Sequence, residues 1–162
     1  MFYVNARAFV ERDSKQGTEL VIQSRNKPGQ ECLELPGGRI ELYEPIYQAL
    51  IREVEEETGL KVTRIEGASK RIDTTGINPD FEVEVVEPFC AHQTTKGPID
   101  SIGMYFICKA EGKLLEAGDE SLNPAWVNVK HIASMMEQNP LQFSDIDRAA
   151  LMFYLKHRVV RD

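Results

Sequence analysis

The chain has 162 residues, 42% of them hydrophobic and 28% charged, and carries a net charge of −7 from 26 acidic and 19 basic side chains. A chain of this length buries about two thirds of its unfolded surface, so one domain over residues 1–162 is expected to fold without disulfides or a structural metal. The acidic balance argues against a protein that grips long nucleic acid, and no run of about 18 apolar residues is present to cross a membrane. The three cysteines, Cys32, Cys90 and Cys108, are widely spaced and form no CxxC pair, which reads as free thiols in a reducing compartment. The first residues alternate and carry charge by Arg7 and Glu11, with no apolar signal-peptide core. A cytoplasmic location follows.

In chain order, Arg7 to Glu11 and Glu19 to Ser24 read as two strands joined by the turn chemistry of Asp13 to Gly17. Asn26 to Gly29 is a second turn, ahead of a short apolar run from Cys32 to Leu35. Pro36-Gly37-Gly38 breaks the chain, and Arg39 to Leu42 reads as another short strand. Pro45 suits the first position of a helix and Gly59 its C-terminal boundary, which predicts a helix over Pro45 to Thr58. Strands are expected over Lys61 to Ile65, Phe81 to Phe89, Ile102 to Ala110 and Ala125 to Val127. A polar loop from Ala91 to Ser101 is where substrate selectivity is expected to lie. A brief helix near His131 to Met136 precedes a last one from Asp145 to Val160. Ser144 is its expected cap, and Ile146, Ala150, Phe153, Tyr154 and His157 fall along one side. The expected class is α+β, a mixed sheet sandwiched between helices.

The helix from Pro45 carries the chemistry. At roughly 100° per residue, Tyr47, Leu50, Ile51 and Val54 form a core-facing stripe, and Glu53, Glu56 and Glu57 gather on an adjoining face. Like charges three and four residues apart repel, and the helix dipole disfavours anions in the last turns. Arg52, four residues before Glu56, offsets only part of this. A local rule broken twice in one place marks a functional site, and a hard divalent cation would reverse the sign of the problem.

From Gly38 to Leu60 the sequence resembles the Nudix hydrolase family, whose box reads G-x5-E-x7-R-E-U-x-E-E-x-G-U with U aliphatic. Gly38, Glu44, Arg52, Glu53, Val54, Glu56, Glu57, Gly59 and Leu60 stand in those places without a departure. Pro36-Gly37 leads into the box, and a strand around Trp126 follows, as in many relatives. Leu33 stands where many relatives have tryptophan, which puts base stacking at that position in doubt.

The resemblance implies a Nudix-type α/β/α sandwich with a catalytic loop–helix–loop, and hydrolysis of a phosphoanhydride assisted by Mg²⁺ or Mn²⁺. By that match Glu53, Glu56 and Glu57 are metal ligands or the water-activating base, and Arg52 orients a glutamate through a forked hydrogen bond. The Gly37 or Gly38 carbonyl completes a metal's shell, Glu44 braces the loop against the helix, and Gly59 ends the motif. Some relatives recruit a further acid from a distal loop, a place held here by Asp119 and Glu120. Arg25, at a strand end before the box, is the candidate for a substrate phosphate, with Gly38 beside it. The expected substrates are nucleoside triphosphates or modified nucleotides, with ADP-ribose second and nucleotide sugars and dinucleoside polyphosphates behind. A homodimer is also implied. The rival readings are a nucleotide-sensing module of the same fold, which would usually have lost box glutamates, and an isopentenyl diphosphate isomerase, whose cysteine motif Cys90 lacks. His92, His131 and His157 have no metal-ligand spacing.

Overall fold

The computed structural model describes residues 1–159. Its frame is a nine-stranded sheet with the order β10-β11-β2-β1-β9-β5, in which β3 pairs with β2, β4 with β1 and β8 with β9. The strands are β1 (Phe2–Ser14), β2 (Gly17–Arg25), β3 (Leu33–Glu34), β4 (Gly37–Arg39), β5 (Lys61–Ile65), β8 (Cys90–Gln93), β9 (Asp100–Glu111), β10 (Ala117–Gly118) and β11 (Ser121–Asn128). Two further strands, β6 (Ile72–Asp73) and β7 (Glu84–Val85), form a small sheet of their own. Long β1 and β9 run parallel, from Phe2 opposite Asp100 to Val10 opposite Cys108, while the other pairings are antiparallel.

Alternation along the central strands divides the interior into two layers. Ala6, Ala8, Val10, Val21, Phe106 and Cys108 pack with Leu50 and Val54 of α1 (Ile46–Thr58). Phe9, Leu20, Ile22, Tyr105 and Ile107 pack on the other side with Ile132 of α2 (Val129–Gln138) and Ala150, Leu151 and Tyr154 of α3 (Arg148–His157). The mixed sheet between helices is therefore the α/β/α arrangement expected. Phe9 stacks on Tyr154 with ring centroids 4.6 Å apart, fastening β1 to α3.

Several boundaries differ from the sequence reading, each for a physical reason. The glycine break is itself the strand: Gly37, Gly38 and Arg39 pair with Arg7, Ala6 and Asn5, and the strand ends at Arg39 instead of running on to Leu42. Gly37 has φ +143°, and a Cβ there would stand 2.5 Å from the Ala6 carbonyl oxygen, so the close pairing is open only to glycine. Pro45 is extended, at ψ 141°, and precedes the helix instead of beginning it. On α1 the buried residues are Ala49, Leu50, Val54, Glu57 and Thr58, while Ile51 is 39% exposed. The Phe81 to Phe89 strand shrinks to Glu84–Val85, because only two-residue β6 is there to pair with it. The expected loop over Ala91 to Ser101 holds strand β8, bonded to β9, so only 94–99 remains irregular.

The last helix begins at Arg148. Ser144 turns the chain before it, its carbonyl accepting from the Asp147 and Arg148 amides, and its hydroxyl accepting from the Asp147 N–H at 3.2 Å. The expected apolar side is corrected as well: Ala150, Leu151 and Tyr154 are buried, but Phe153 and His157 lie outside, their rings tilted against each other with centroids 4.4 Å apart. Val160, the expected end, lies outside the described residues. All three cysteines are free, and among the described residues no helix is long and apolar enough to cross a membrane.

One buried ion pair ties the C-terminal helix to the sheet. Arg7 points from β1 towards α3, donating from Nε and Nη2 to Asp147 at 2.7 and 3.0 Å. Asp147 also accepts from the Leu35 amide at 2.9 Å and the Tyr105 hydroxyl at 2.8 Å. Removing one partner leaves an uncompensated charge in the interior. Asp147→Ala is therefore expected to lower the free energy of unfolding by about 3–5 kcal/mol, read from urea denaturation at neutral pH.

Candidate active site

The site is built on the last turns of α1. Gly59 closes the helix with φ 80° and donates its N–H to the Glu55 carbonyl. No basic residue stands in the last turn, so Glu53, Glu56 and Glu57 face the unfavourable end of the dipole. Their compensation comes from Arg52. Its Nε and Nη2 hold both oxygens of Glu44 at 2.7 and 2.9 Å. Nη1 reaches Glu53 at 2.8 Å and Glu56 at 3.3 Å, and Nη2 also reaches the Arg39 carbonyl at 3.2 Å. The fork thus grips Glu44, and the second arm collects two helix carboxylates. Glu44 in turn accepts from the Glu41 N–H at 2.9 Å, which closes the loop between β4 and α1. The Arg52 hydrogen bond holds Glu44 below the usual carboxylate range.

Glu57 is turned inward and is only 7% exposed. It accepts from Gln23 Nε2 at 2.7 Å and the Gly37 N–H at 2.9 Å. Burial pushes its pKa up to about 8, against the pull of Arg7, the Gly37 N–H and Gln23. Glu53 is also raised, by burial first, with Arg52 opposing. Glu53 lies against Gly38, where a Cβ would stand 2.5 Å from its carboxyl carbon. Glu56 is the outermost of the three, with its side chain 43% exposed.

The remaining sequence candidates sit around this centre. The Gly37 carbonyl accepts from Arg7 Nη1 at 3.3 Å. Arg25 is engaged with the buried Glu34, at 3.0 Å from Nε and 2.9 Å from Nη2. The loop holding Glu120 does pack on the glutamate helix, since the Asp119 N–H donates to the Glu56 carbonyl and the Ser121 hydroxyl to that of Glu57. The Glu120 carboxylate itself is exposed, paired with Lys27 at 3.0 Å. His92 bonds Ser101 at 3.1 Å, and burial lowers its pKa. An apolar cavity of about 180 Å³, lined by Ile22, Leu33, Val127, Ile132, Met135 and Phe143, lies across the sheet from Glu57.

Two residues that the sequence reading passed over complete the centre. Gln23 is 1% exposed, bonds Glu57, and keeps its Oε1 buried without a partner. Arg7 anchors the Leu35 and Gly37 carbonyls from beneath, at 2.6 and 3.3 Å. The available signal was the same for both: a long polar side chain amid apolar strand residues, Arg7 between Ala6 and Ala8, Gln23 after Val21-Ile22.

A family model for the NUDIX domain matches residues 1–145. The chain belongs to the Nudix hydrolase family. An ADP-ribose pyrophosphatase from Methanocaldococcus jannaschii is 43% identical over 51 residues, which are 32% of this chain and 28% of that protein. The match thus spans well under a third of the relative's length. Solved Nudix folds superpose over nearly the whole chain. The solution structure of the E. coli ORF135 protein gives a TM-score of 0.67 at 20% identity, covering 99% of this chain and 93% of that one. The NUDIX domain of Shewanella oneidensis NrtR, complexed with ADP ribose, gives 0.67 at 14% identity, covering 98% and 89%. At such identities these likenesses describe the fold alone.

The raised pKa of Glu57 has a consequence for stability. Between the ordinary carboxylate pKa of about 4.3 and about 8, the folded chain binds a proton there that the unfolded chain releases. Metal-free stability therefore falls as pH rises through that window. Glu57→Gln keeps an acceptor for Gly37 and Gln23 but has no charge to bury. In chelator, its melting temperature is expected to exceed that of the wild type at pH 8, with the difference vanishing towards pH 4.

Proposed function

We propose that this Nudix chain hydrolyses the phosphoanhydride bond of a nucleoside diphosphate linked to another group, with nucleoside triphosphates or modified nucleotides as first candidates. The observation that carries the reading is the placement of Glu53, Glu56 and buried Glu57 on the last turns of α1, with Arg52 holding the first two and itself anchored on Glu44. ADP-ribose is the second candidate, favoured by the pyrophosphatase relative. Activity on either is a proposal for this chain, as is a cytoplasmic location, which the free thiols and acidic surface suit.

Nudix hydrolases generally use divalent metal ions. Among the described residues no three His, Cys, Asp or Glu side chains stand close enough together to hold an ion. The donors nevertheless fit a hard cation in kind. All three are carboxylates, and beside Glu57 the Gln23 Oε1 is a buried acceptor with nothing to accept from. Glu53, Glu56 and Glu57 are the residues that would hold Mg²⁺ or Mn²⁺, with the Gly37 carbonyl beside them. Bound there, the ion supplies neutralisation of phosphate charge and a more acidic water.

The chain's own residues do the rest. One box glutamate accepts the proton of the attacking water, and Glu56, the most exposed of the three, is best placed to exchange it with solvent. Arg52 keeps Glu53 and Glu56 turned towards one another. Arg25 is the candidate to meet a phosphate at the end of β2, and Gly38 leaves room for the Glu53 carboxylate that would face it. Water attack on phosphorus breaks the anhydride P–O bond, releasing a nucleotide and a second phosphate-bearing product.

Two measurements test this. With Mg²⁺ and a panel of canonical and oxidised nucleoside triphosphates, ADP-ribose, nucleotide sugars and a dinucleoside polyphosphate, one class is expected to turn over, with products resolved by mass. Glu56→Gln is expected to cut that turnover at least 100-fold, in line with loss of a general base, at unchanged melting temperature. Nucleotide binding without turnover anywhere would instead favour a sensing module. In the same assay Glu120→Gln is expected to slow turnover without unfolding the chain, and unchanged kinetics would remove Glu120 from the site.

A further inference from the structure

Residues 71–85 leave the body of the fold as a hairpin whose strands, β6 and β7, pair only with each other. Its register sets Ile72 opposite Val85 and Asp73 opposite Glu84, and the Thr74 N–H bonds the Val83 carbonyl. Alternation then places Ile72, Val83 and Val85 on one face, with Asp73, Glu82 and Glu84 on the other. The polar face is the one fastened to the protein. Glu84 accepts from the Ile46 N–H at the start of α1, at 2.7 Å, and from Arg71 Nε at 2.9 Å.

The apolar face looks outward. Ile72 is 69% exposed, Val83 54% and Val85 66%, and towards the tip Ile77 is 79% and Phe81 71% exposed. No residue from 72 to 85 is buried. A sheet with one wet face normally turns its apolar side to the core, so this hairpin is mounted inside out. A two-stranded ribbon that buries nothing is marginal by itself, and ordering its backbone costs entropy that no burial offsets.

We propose that this face is the contact through which two copies of the chain form a twofold dimer. The five side chains expose on the order of 600 Å² per chain, at the upper limit for a single patch on a monomer. Across a twofold axis the same row meets itself and about 1,200 Å² is buried in total, where specific interfaces begin. The row carries no charged side chain, as the centre of an interface requires. A net charge of −7 weighs against an anionic membrane or a nucleic acid as the occupant. The dimer is independent of the hydrolytic reading, and either stands if the other falls.

The test is the mass of the full chain in solution, by sedimentation or light scattering from micromolar to millimolar concentration. The wild type is expected to reach twice the chain mass of 18.4 kDa, and Ile72→Lys with Val85→Lys to remain a monomer at the same concentrations with an unchanged melting temperature. A monomeric wild type throughout, or a double variant that still dimerises, overturns the proposal. Should the double variant misfold, hydrogen exchange on the wild type decides. Amides of 72–85 are expected to gain protection as concentration rises, and exchange independent of concentration overturns the dimer.

Discussion

A guanidinium buried in the middle of a strand is expensive, and the rest of this structure is arranged around satisfying it. Arg7 is 4% exposed in β1, and removing such a charge from water is tolerable only when it is paired and its donors are used. Burial works against the charge, but Asp147, Tyr105, Glu34 and Glu57 together hold Arg7 firmly protonated. The partners come from far apart in sequence: the Leu35–Gly37 segment, Tyr105 on β9, and Asp147 at the start of α3. The last helix therefore starts where Asp147 is needed, which is later than its hydrophobic pattern suggests.

Gly37 carries this constraint through the sheet to the site. Its carbonyl accepts from Arg7 on the α3 side, and its N–H donates to Glu57 on the α1 side. One residue thus serves a buried cation and a buried carboxylate that lie on opposite faces. Arg7 pulls Glu57 towards ionisation, but burial outweighs it and leaves the carboxyl with a raised pKa. Glu53 and Glu56 face a different compensation, the exposed arm of Arg52, whose fork is already anchored on Glu44. Three glutamates within one helical turn therefore have three environments: buried, half-buried and open.

Much of this was legible in the sequence because it depends on local spacing. The helix ending at Gly59, the position of the glutamates, the Lys61–Ile65 strand and the paired β1–β2 region all follow from periodicity and turn residues, and the box spacing pointed to the family. What was not legible depends on partners remote in sequence. The strand at Gly37–Gly38 exists because β1 lies close enough to exclude a Cβ, and β8 because Cys90 to Gln93 lie opposite Tyr105 to Ile102 of β9. Gln23 stood out only as a polar residue after Val21-Ile22, and its partner was not legible, since its relation to Glu57 spans 34 positions and is set by the packing of α1 on β2. Arg25 was read as the candidate for a substrate phosphate and Glu120 as a distal acid, and folding supplies each with a counter-charge, Glu34 and Lys27.

Alternation names the two faces of a strand, but register and packing decide which face is inside. Along β1, the small residues Ala6 and Ala8 go beneath α1 and the large or charged ones, Arg7, Phe9 and Glu11, face α3. The thin side lets α1 approach closely enough for Glu57 to reach Gln23 and Gly37. The thick side holds the aromatic stack, the buried ion pair of Arg7 with Asp147 and the half-exposed one of Glu11 with Arg158. The hairpin from 71 to 85 obeys the same alternation with the opposite outcome, because the bond from the Ile46 amide fixes Glu84 inward. A helix N-terminus has unpaired N–H groups that attract a carboxylate, so α1 itself selects the polar face and leaves the apolar one outside. The helix that gathers anions at its unfavourable end for chemistry holds another at its favourable end for structure.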